Sequence, residues 1–147
     1  MLSSSYLYTS VNGVAATCKY DKKLGKVSTA TTAYKNVTTA DFATIAQMKS
    51  AVAIKPNSAY ISADNSYFMS YSNGILQDKE GLCGTKLDHA VVIVGYGTHD
   101  TGIAYWTVRN SYGAWWGESG YFRVEQTEGL GVCGINQRVS YPMTNNK

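Results

Sequence analysis

Two apolar segments in the second half of the chain constrain its fold more than any other feature of the sequence. Residues 90–96 read Ala-Val-Val-Ile-Val-Gly-Tyr and residues 103–108 read Ile-Ala-Tyr-Trp-Thr-Val, with a polar loop bounded by glycines at 97–102. Two such runs separated by turn residues predict a β-hairpin. If the turn centres on His99 and Asp100, antiparallel pairing places His89 opposite Asn110. The spacing therefore predicts an imidazole beside a carboxamide.

The remaining pattern predicts an α+β domain made mostly of short strands. With 14 glycines, 12 tyrosines and only 2 prolines, strands and turns should outnumber helices. Apolar residues at helical spacing after a cap at Thr38 predict one surface helix at 39–52. Further strands are predicted at 58–63, 121–124 and 139–141, with a helical turn at 66–71 packed by Phe68. We interpret residues 1–147 as one partial domain, loop-rich at 1–37 and with a helix and sheet core at 38–147.

The distribution of charge argues against two large classes of function. The 13 Lys and Arg and 10 Asp and Glu residues give a net charge of +3 and are scattered, without the basic stripe of a nucleic-acid groove. No apolar run approaches the roughly 18 residues of a membrane span. We therefore expect neither a nucleic-acid nor a membrane partner. Residues 1–10 lack the features of a secretion signal, whereas the sequon Asn36-Val37-Thr38 fits a secreted or lysosomal protein.

An ordered series of short motifs fills the second half of the chain. Leu-Asp-His-Ala at 87–90 runs into Val-Gly-Tyr-Gly at 94–97, then Val-Arg-Asn-Ser follows at 108–111 and Trp-Gly-Glu-Ser-Gly-Tyr at 116–121. At these separations the series resembles the papain and cathepsin L family of cysteine peptidases, most strongly from 74 to 142. The resemblance implies the right-hand half of a two-domain peptidase. Its fold would be an antiparallel β-barrel-like domain with a short surface helix, without the left α-helical domain.

The resemblance implies roles for the histidine and the asparagine of the predicted hairpin. In this family a cysteine thiolate attacks the peptide carbonyl, and a histidine imidazolium holds the ion pair and then protonates the leaving amine. His89 matches that histidine, and Asn110 matches the asparagine that orients its ring by accepting a hydrogen bond. Tyr112 stands where relatives have a tryptophan that shields the pair, so we expect partial shielding. His99 is interpreted as a solvated turn residue.

The chain has three cysteines, Cys18, Cys83 and Cys133, so in an oxidising compartment at least one of them pairs elsewhere or stays reduced. By resemblance, Cys83 and Cys133 form the disulfide that staples this half, worth about 4 kcal/mol. Cys18 then matches a cysteine that bonds to the left-hand domain, with a buried thiol as the alternative. None of the three lies in a Cys-Gly-Ser-Cys-Trp-like segment, so none is a candidate nucleophile.

Five further residues match positions that contact substrate in the family: Tyr60, Leu87, Asp88, Trp116 and Arg138. Tyr60 and Leu87 would line the S2 subsite, with Arg138 at its floor. A guanidinium there favours an acidic or hydrogen-bonding P2 side chain, unless Arg138 points to solvent. Trp116 would line the primed side of the cleft, Asp88 is expected on the other side of the strand or at the cleft rim, and Trp115 is interpreted as a core or rim aromatic.

The predicted function is half of a cysteine-type endopeptidase that supplies histidine and asparagine but is inactive alone. The nucleophilic cysteine and the glutamine of the oxyanion hole are missing from the sequence. Expected partners are a protein or peptide substrate, the missing left-hand domain, and a propeptide or cystatin-type inhibitor, with no cofactor and no metal. The expected location is lysosomal or extracellular. The alternatives are a non-catalytic remnant that binds peptide or protein, and an unrelated extracellular β module, which leaves the motifs unexplained.

Overall fold

The computed structural model describes Val14, residues 17–19, Asp21, Lys23 and residues 31–144. The chain divides into two compact units, one comprising Met1–Thr32 with Thr144–Lys147 and the other Ala33–Met143. Most of the predicted loop-rich segment at 1–37 lies outside the described residues. Every candidate site residue except Cys18 belongs to the second unit.

The described part of the chain is mostly sheet, with two short helices. The helices are α1 (Ile45–Val52) and α2 (Ser66–Met69), and the strands are β1 (Thr31–Asn36), β2 (Asn57–Ile61), β3 (Ile75–Leu76), β4 (His89–Thr98), β5 (Ala104–Arg109), β6 (Tyr121–Glu125) and β7 (Val139–Thr144). The predicted α+β class is confirmed, as are the short helical turn near Phe68 and the strands on either side of the 97–102 loop.

The strands form one open sheet in the order β1-β7-β2-β4-β5-β6-β3. Pairs β2–β4, β2–β7, β4–β5 and β5–β6 are antiparallel, whereas the two-residue strand β3 runs parallel to β6. Within the described residues β1 and β3 are the two edges, so the sheet does not close into the barrel-like form that was expected.

The turn between β4 and β5 is one residue longer than the two-residue turn predicted at His99 and Asp100. The N–H of His99 donates to the carbonyl of Ile103 (2.9 Å), and the N–H of Gly102 donates to the carbonyl of His99 (2.8 Å). The loop therefore comprises the three residues 100–102. Gly102 has a φ of 85°, the left-handed conformation that closes a three-residue hairpin loop after a type I turn.

This longer turn changes the register of the hairpin. Val92 pairs with Arg109, and an irregularity in β4 shifts the pairing again further along. The prediction that His89 lies directly opposite Asn110 in the ladder is therefore wrong. Asn110 instead follows the last residue of β5, beyond the regular pairing.

Helix α1 begins at Ile45 rather than at residue 39. Thr44 is its N-cap: the Thr44 hydroxyl accepts from the N–H of Gln47 (3.2 Å), and the Gln47 side chain accepts from the N–H of Thr44 (2.9 Å). This reciprocal pair is a capping box, which satisfies two donors of the first turn. Thr38 was the predicted cap, but its hydroxyl accepts a hydrogen bond from the N–H of Val139 in β7 (3.0 Å).

The core lies on one face of the sheet. Along β4 the side chains of Val91 and Ile93 are buried, while the alternating Val92 and Val94 are exposed. Fully buried partners come from both helices and the neighbouring strands: Met48, Phe68, Trp106, Val108, Phe122 and Val124. His89 shares the alternation of Val91 and Ile93, so its side chain lies at the margin of the core, on the same face.

A disulfide joins Cys83 and Cys133, as expected. Both side chains are buried, and the carbonyl of Cys133 accepts from the N–H of Ser62 (2.8 Å). The bond therefore fixes the loop before β4 to the 3₁₀ turn Val132–Gly134 and to the loop after β2. Cys18 is exposed, so the alternative of a buried thiol is wrong.

No helix among the described residues is both long and apolar enough to cross a lipid bilayer. In the same part of the chain, no group of three or more His, Cys, Asp and Glu side chains is arranged to hold a metal ion.

Candidate active site

His89 and Asn110 lie side by side at one end of β4 and β5. His89 is the first residue of β4, and Asn110 directly follows β5. The N–H of Asn110 donates to the carbonyl of Gly120 (2.9 Å), which holds this end of the hairpin against the loop before β6. The Nε2 atom of His89 lies 2.8 Å from the Oδ1 atom of Asn110. The structure thus brings the imidazole and the carboxamide into direct contact.

The backbone N–H of Ser111 determines where the proton lies in the hydrogen bond between His89 and Asn110. The backbone N–H of Ser111 donates to Oδ1 of Asn110 (2.7 Å). A backbone N–H can only donate, so the atom that receives it is the amide oxygen. That oxygen can only accept, so Nε2 of His89 carries the proton in their shared hydrogen bond. In the neutral ring Nδ1 is then the acceptor nitrogen, available to take a proton from another group.

Tyr112 covers the pair from one side. Its ring stacks on the ring of His89, with centroids 5.0 Å apart and an interplanar angle of 30°. Asn110 is buried and Tyr112 is half-buried, so the stack keeps most water from the hydrogen bond between the two site residues. Burial raises the pKa of Tyr112, and the negative charges of Asp88 and Asp64 raise it further. The hydroxyl of Tyr112 therefore stays neutral at physiological pH.

Replacing Tyr112 by alanine should destabilise the fold and open the site to water. Loss of the ring removes apolar burial and one aromatic stack, together about 2 kcal/mol of unfolding free energy. The Nε2 proton of His89 should exchange faster with solvent, which proton NMR measures directly. Tyr112→Phe is the control, because it keeps the ring; unchanged exchange in Tyr112→Ala, or equal acceleration in Tyr112→Phe, would contradict shielding by the stack.

Trp116 lies beneath Tyr112 and is only 4% exposed. Its ring packs against Phe68 at 5.1 Å and edge-on against Tyr112 at 5.4 Å, and its Nε1–H donates to the carbonyl of Met69 (3.2 Å). The aromatic cluster encloses the ring of Trp116 within this chain, and its place on the primed side of the cleft stays a prediction. Trp115 is the exposed member of the pair, at 82%. Trp116 instead supports Tyr112 from below.

An ion pair that the sequence did not predict holds the loop that carries Trp116. Two nitrogens of Arg123 donate to the carboxylate of Glu118, with Nη2 at 2.6 Å from Oε1 and Nε at 2.9 Å from Oε2. The same carboxylate accepts from the N–H of Gly74 (3.0 Å). The hydrogen bond from Arg123 lowers the pKa of Glu118, while burial raises the pKa of Tyr71, whose hydroxyl donates to the carbonyl of Gly74.

The sequence indicated only one member of this ion pair. Glu118 lies within the Trp-Gly-Glu motif, but nothing in the local pattern indicates that its partner is Arg123. Arg123 alternates with the buried Phe122 and Val124 along β6, which is the ordinary pattern of a solvent-facing strand residue. Its pairing depends on the reversal of the chain between 118 and 121, where Ser119 and Gly120 both have positive φ angles.

Both the backbone and the carboxylate of Asp88 hold the loop after β2 beside the start of β4. Its carboxylate accepts from the N–H of Ala63 (2.8 Å) and more weakly from that of Asp64 (3.4 Å). The N–H of Asp88 donates to the carbonyl of Ile61 (3.0 Å), continuing the pairing of β2 with β4. Asp88 therefore ties the loop after β2 to the start of β4, where His89 lies.

The candidate subsite residues lie around the 3₁₀ turn Val132–Gly134. Tyr60 is half-exposed, and its N–H donates to the carbonyl of Arg138 (3.2 Å). Leu87 lies against Gly134, where an added Cβ would come within 3.1 Å of its Cδ2 atom. Arg138 is exposed. The structure thus places Tyr60 beside Arg138 and Leu87 beside the preceding turn, and it places His99 at the distant hairpin tip, exposed and bonded to Thr101 (3.0 Å).

Comparison with known proteins identifies relatives of this chain. The family model for papain family cysteine proteases matches residues 1–143. Among curated proteins, Cysteine proteinase EP-B 1 of Hordeum vulgare is 51% identical over 95 residues, covering 63% of this chain and 25% of its own length. Cysteine protease 1 of Oryza sativa subsp. japonica is 41% identical over 141 residues, covering 94% of this chain and 27% of its own length. The chain thus spans about a quarter of these relatives.

Two solved structures share the fold. The bromelain protease of Ananas comosus, in complex with the E64 inhibitor, aligns with a TM-score of 0.75 and 32% identity, covering 96% of this chain and 61% of its own. The ragweed pollen allergen Amb a 11, a cysteine protease in its proform, aligns with a TM-score of 0.78 and 34% identity, covering 98% of this chain and 37% of its own.

Proposed function

Because the chain belongs to the papain family of cysteine proteases, we propose that His89 and Asn110 are the histidine and the orienting asparagine of a cysteine endopeptidase. The observation that carries this proposal is the 2.8 Å contact between Nε2 of His89 and Oδ1 of Asn110. The Ser111 N–H fixes the identity of that oxygen, and Tyr112 covers the pair. A solvated histidine with no orienting partner would offer neither feature.

In this proposal each atom of the pair has a task in peptide hydrolysis. Asn110 holds the proton on Nε2, so Nδ1 is the atom that takes the proton of a cysteine thiol and leaves a thiolate. The thiolate attacks the peptide carbonyl carbon and forms a carbon–sulfur bond, and the imidazolium returns its proton to the nitrogen of the leaving amine as the carbon–nitrogen bond breaks, which leaves a thioester. In the second half of the reaction, Nδ1 accepts a proton from the water that attacks the thioester, and this proton returns to the cysteine sulfur as the carbon–sulfur bond breaks. Throughout, the hydrogen bond to Asn110 keeps the ring from rotating away.

The nucleophile in this proposal comes from a left-hand domain outside these 147 residues. Cys83 and Cys133 are joined in a disulfide, and Cys18 stands in no Cys-Gly-Ser-Cys-Trp-like segment. The thiolate forms the bond to the carbonyl carbon, and the donors of the oxyanion hole stabilise the charge that develops on the carbonyl oxygen in the transition state. The isolated chain should therefore show no peptide hydrolysis, because orientation of the base alone does not lower the barrier to attack.

To test whether the nucleophile comes from a second domain, the experiment uses the purified 147-residue chain and a fluorogenic dipeptide substrate. The chain alone should release no fluorophore above buffer. When it is joined to a left-hand domain that supplies the cysteine and the glutamine, cleavage should appear and should be abolished by a thiol-directed epoxide. Epoxide-sensitive cleavage by the chain alone would refute the need for a second domain. A joined, folded enzyme without activity would favour a non-catalytic binding protein.

The substrates in this proposal are proteins or peptides, and the enzyme works in a lysosomal or extracellular compartment. The disulfide supports that location, because disulfides persist in oxidising compartments and are rare in the cytosol. A propeptide or a cystatin-type inhibitor is the proposed regulatory partner. Two similar structures support this proposal, since one is a complex with the inhibitor E64 and the other is a proform.

Arg138 is the proposed determinant of the P2 preference. The joined enzyme should cleave a P2-Glu peptide better than its P2-Leu analogue, because a guanidinium–carboxylate hydrogen bond contributes about 1.5 kcal/mol, or roughly ten-fold in kcat/KM. Arg138→Leu should reverse the preference. Arg138→Lys is the matched control, since it keeps a positive charge at the same position and should keep the preference for P2-Glu. A leucine preference that Arg138→Leu leaves unchanged would contradict the assignment.

A further inference from the structure

The sequence contains a single Asn-X-Ser/Thr sequon, at Asn36-Val37-Thr38. The structure gives its three residues different environments. Asn36 is the last residue of β1 and is exposed, whereas Val37 is buried and Thr38 is half-buried. In the part of the chain that the structure describes, no hydrogen bond holds the Asn36 carboxamide. The acceptor side chain of the sequon therefore faces solvent, while its neighbours are anchored to the fold.

Asn36 is also one of the residues that line a groove. This groove has a volume of about 450 Å³ and lies between the end of β1, helix α1 and β7. Its walls combine apolar and polar groups: Val37, Ala51, Ile54, Tyr141, Gln47 and Ser50. Ile54 is 64% exposed, which is high for a large aliphatic side chain beside a helix. A mixed surface of this kind matches a sugar ring, which presents an apolar C–H face and polar hydroxyl and acetamide groups.

We propose that Asn36 carries an N-linked glycan and that the first sugar of this glycan packs in the groove beside it. In the attachment reaction, Nδ2 of Asn36 forms a bond to C1 of the sugar of a lipid pyrophosphate-linked oligosaccharide. The bond between C1 and the pyrophosphate oxygen breaks, the amide loses one proton, and the lipid pyrophosphate leaves with the electron pair. The disulfide supports passage through the compartment in which this transfer occurs.

The sequon offers variants that separate the modification from the fold. Asn36→Gln removes the acceptor and leaves the neighbouring contacts intact. Thr38→Ser keeps the sequon, and its hydroxyl can still accept from the N–H of Val139, as Thr38 does at 3.0 Å. Thr38→Val removes both the sequon and this hydrogen bond. Because the glycan is transferred to the nascent chain, the outcome does not depend on whether a variant later folds stably.

The experiment expresses the wild-type chain through the secretory pathway of a eukaryotic cell and treats it with a peptide N-glycosidase. Wild type and Thr38→Ser should shift in mobility on treatment, with Asn36 converted to Asp in the tryptic peptide, and Asn36→Gln and Thr38→Val should not. A wild-type chain that reaches the medium without a glycan would overturn the proposal. The readout does not depend on proteolytic activity, so failure of this proposal can be distinguished from failure of the proposed catalytic function.

Hydrogen exchange tests the groove. Peptides that cover α1 should exchange more slowly in the glycosylated chain than after enzymatic deglycosylation, because the sugar covers the helix surface. Peptides from β5 and β6, on the far part of the sheet, should be unchanged and serve as the control. Equal exchange at α1 with and without the glycan would overturn the packing of the sugar in the groove while leaving its attachment in place.

Discussion

Replacing His89 by alanine should lower kcat/KM of the joined two-domain enzyme about 10⁴-fold. His89 is proposed both to take the thiol proton and to return it to the leaving amine, so its loss removes two proton transfers at once. The structure gives no substitute, because the other histidine of the chain, His99, lies at the exposed tip of the β4–β5 hairpin. Initial rates on a fluorogenic dipeptide, with circular dichroism to verify folding, measure the effect.

Two further substitutions calibrate this result. His99→Ala removes an imidazole of the same chemistry and should leave kcat/KM within two-fold of wild type, as about 0.4 kcal/mol or less is expected at an exposed loop. Asn110→Ala should cause an intermediate loss, because His89 remains but its ring loses the bond that fixes its orientation. Equal losses in His89→Ala and His99→Ala would indicate a general effect of removing histidine and would contradict the assigned role of His89.

The sequence predicted that His89 and Asn110 would lie together, but the local pattern gave the wrong geometry for their contact. A hairpin turn centred on His99 and Asp100, as predicted, would pair His89 with Asn110 on the neighbouring strand. The actual turn is longer, with Gly102 in the left-handed conformation, and the ladder register is different. The two side chains meet because Asn110 lies beyond the regular end of β5, where the N–H groups of Asn110 and Ser111 fix its position. Hydrophobic periodicity does not predict the conformation of such irregular backbone.

The start of α1 shows how a distant contact decides between two local signals. Thr38 with Asp41 and Thr44 with Gln47 are both capping patterns, only a few residues apart. The second is used, because the hydroxyl of Thr38 is bound to the N–H of Val139. Val139 belongs to β7 and is far from Thr38 in the sequence. A local pattern could therefore predict the helix but not where it begins.

Burial of Trp116 depends in the same way on residues far apart in the chain. The ring is enclosed by Phe68 from α2, Phe122 from β6 and Tyr112 from the site loop. Each of these aromatics was recognisable in the sequence, but their convergence on one ring was not. The resemblance placed Trp116 on the primed side of the cleft, and the structure places its ring against Tyr112. The resemblance did not indicate that the ring would be enclosed, since that follows from packing across three separate elements.

Removal of the disulfide, by replacing Cys83 and Cys133 together with alanine, should lower the free energy of unfolding by about 4 kcal/mol. The bond closes a loop with a sequence separation of 50 residues, and without it the unfolded chain gains the conformational entropy of that loop. Urea denaturation of the 147-residue chain, monitored by tryptophan fluorescence, gives this value. The magnitude is a large fraction of the total stability of a domain of this size.

The matched control is Cys18→Ala, which removes a thiol from an exposed position outside this loop and should change the unfolding free energy by less than about 0.5 kcal/mol. The disulfide variant should also loosen the site, because Cys133 anchors the loop after β2 through Ser62, and the carboxylate of Asp88 anchors the same loop to the start of β4. Amide exchange at 85–90 should therefore rise more in the disulfide variant than at β5 and β6. An equal stability loss in Cys18→Ala, or uniform exchange across the sheet, would show that the bond does not act on this loop in particular.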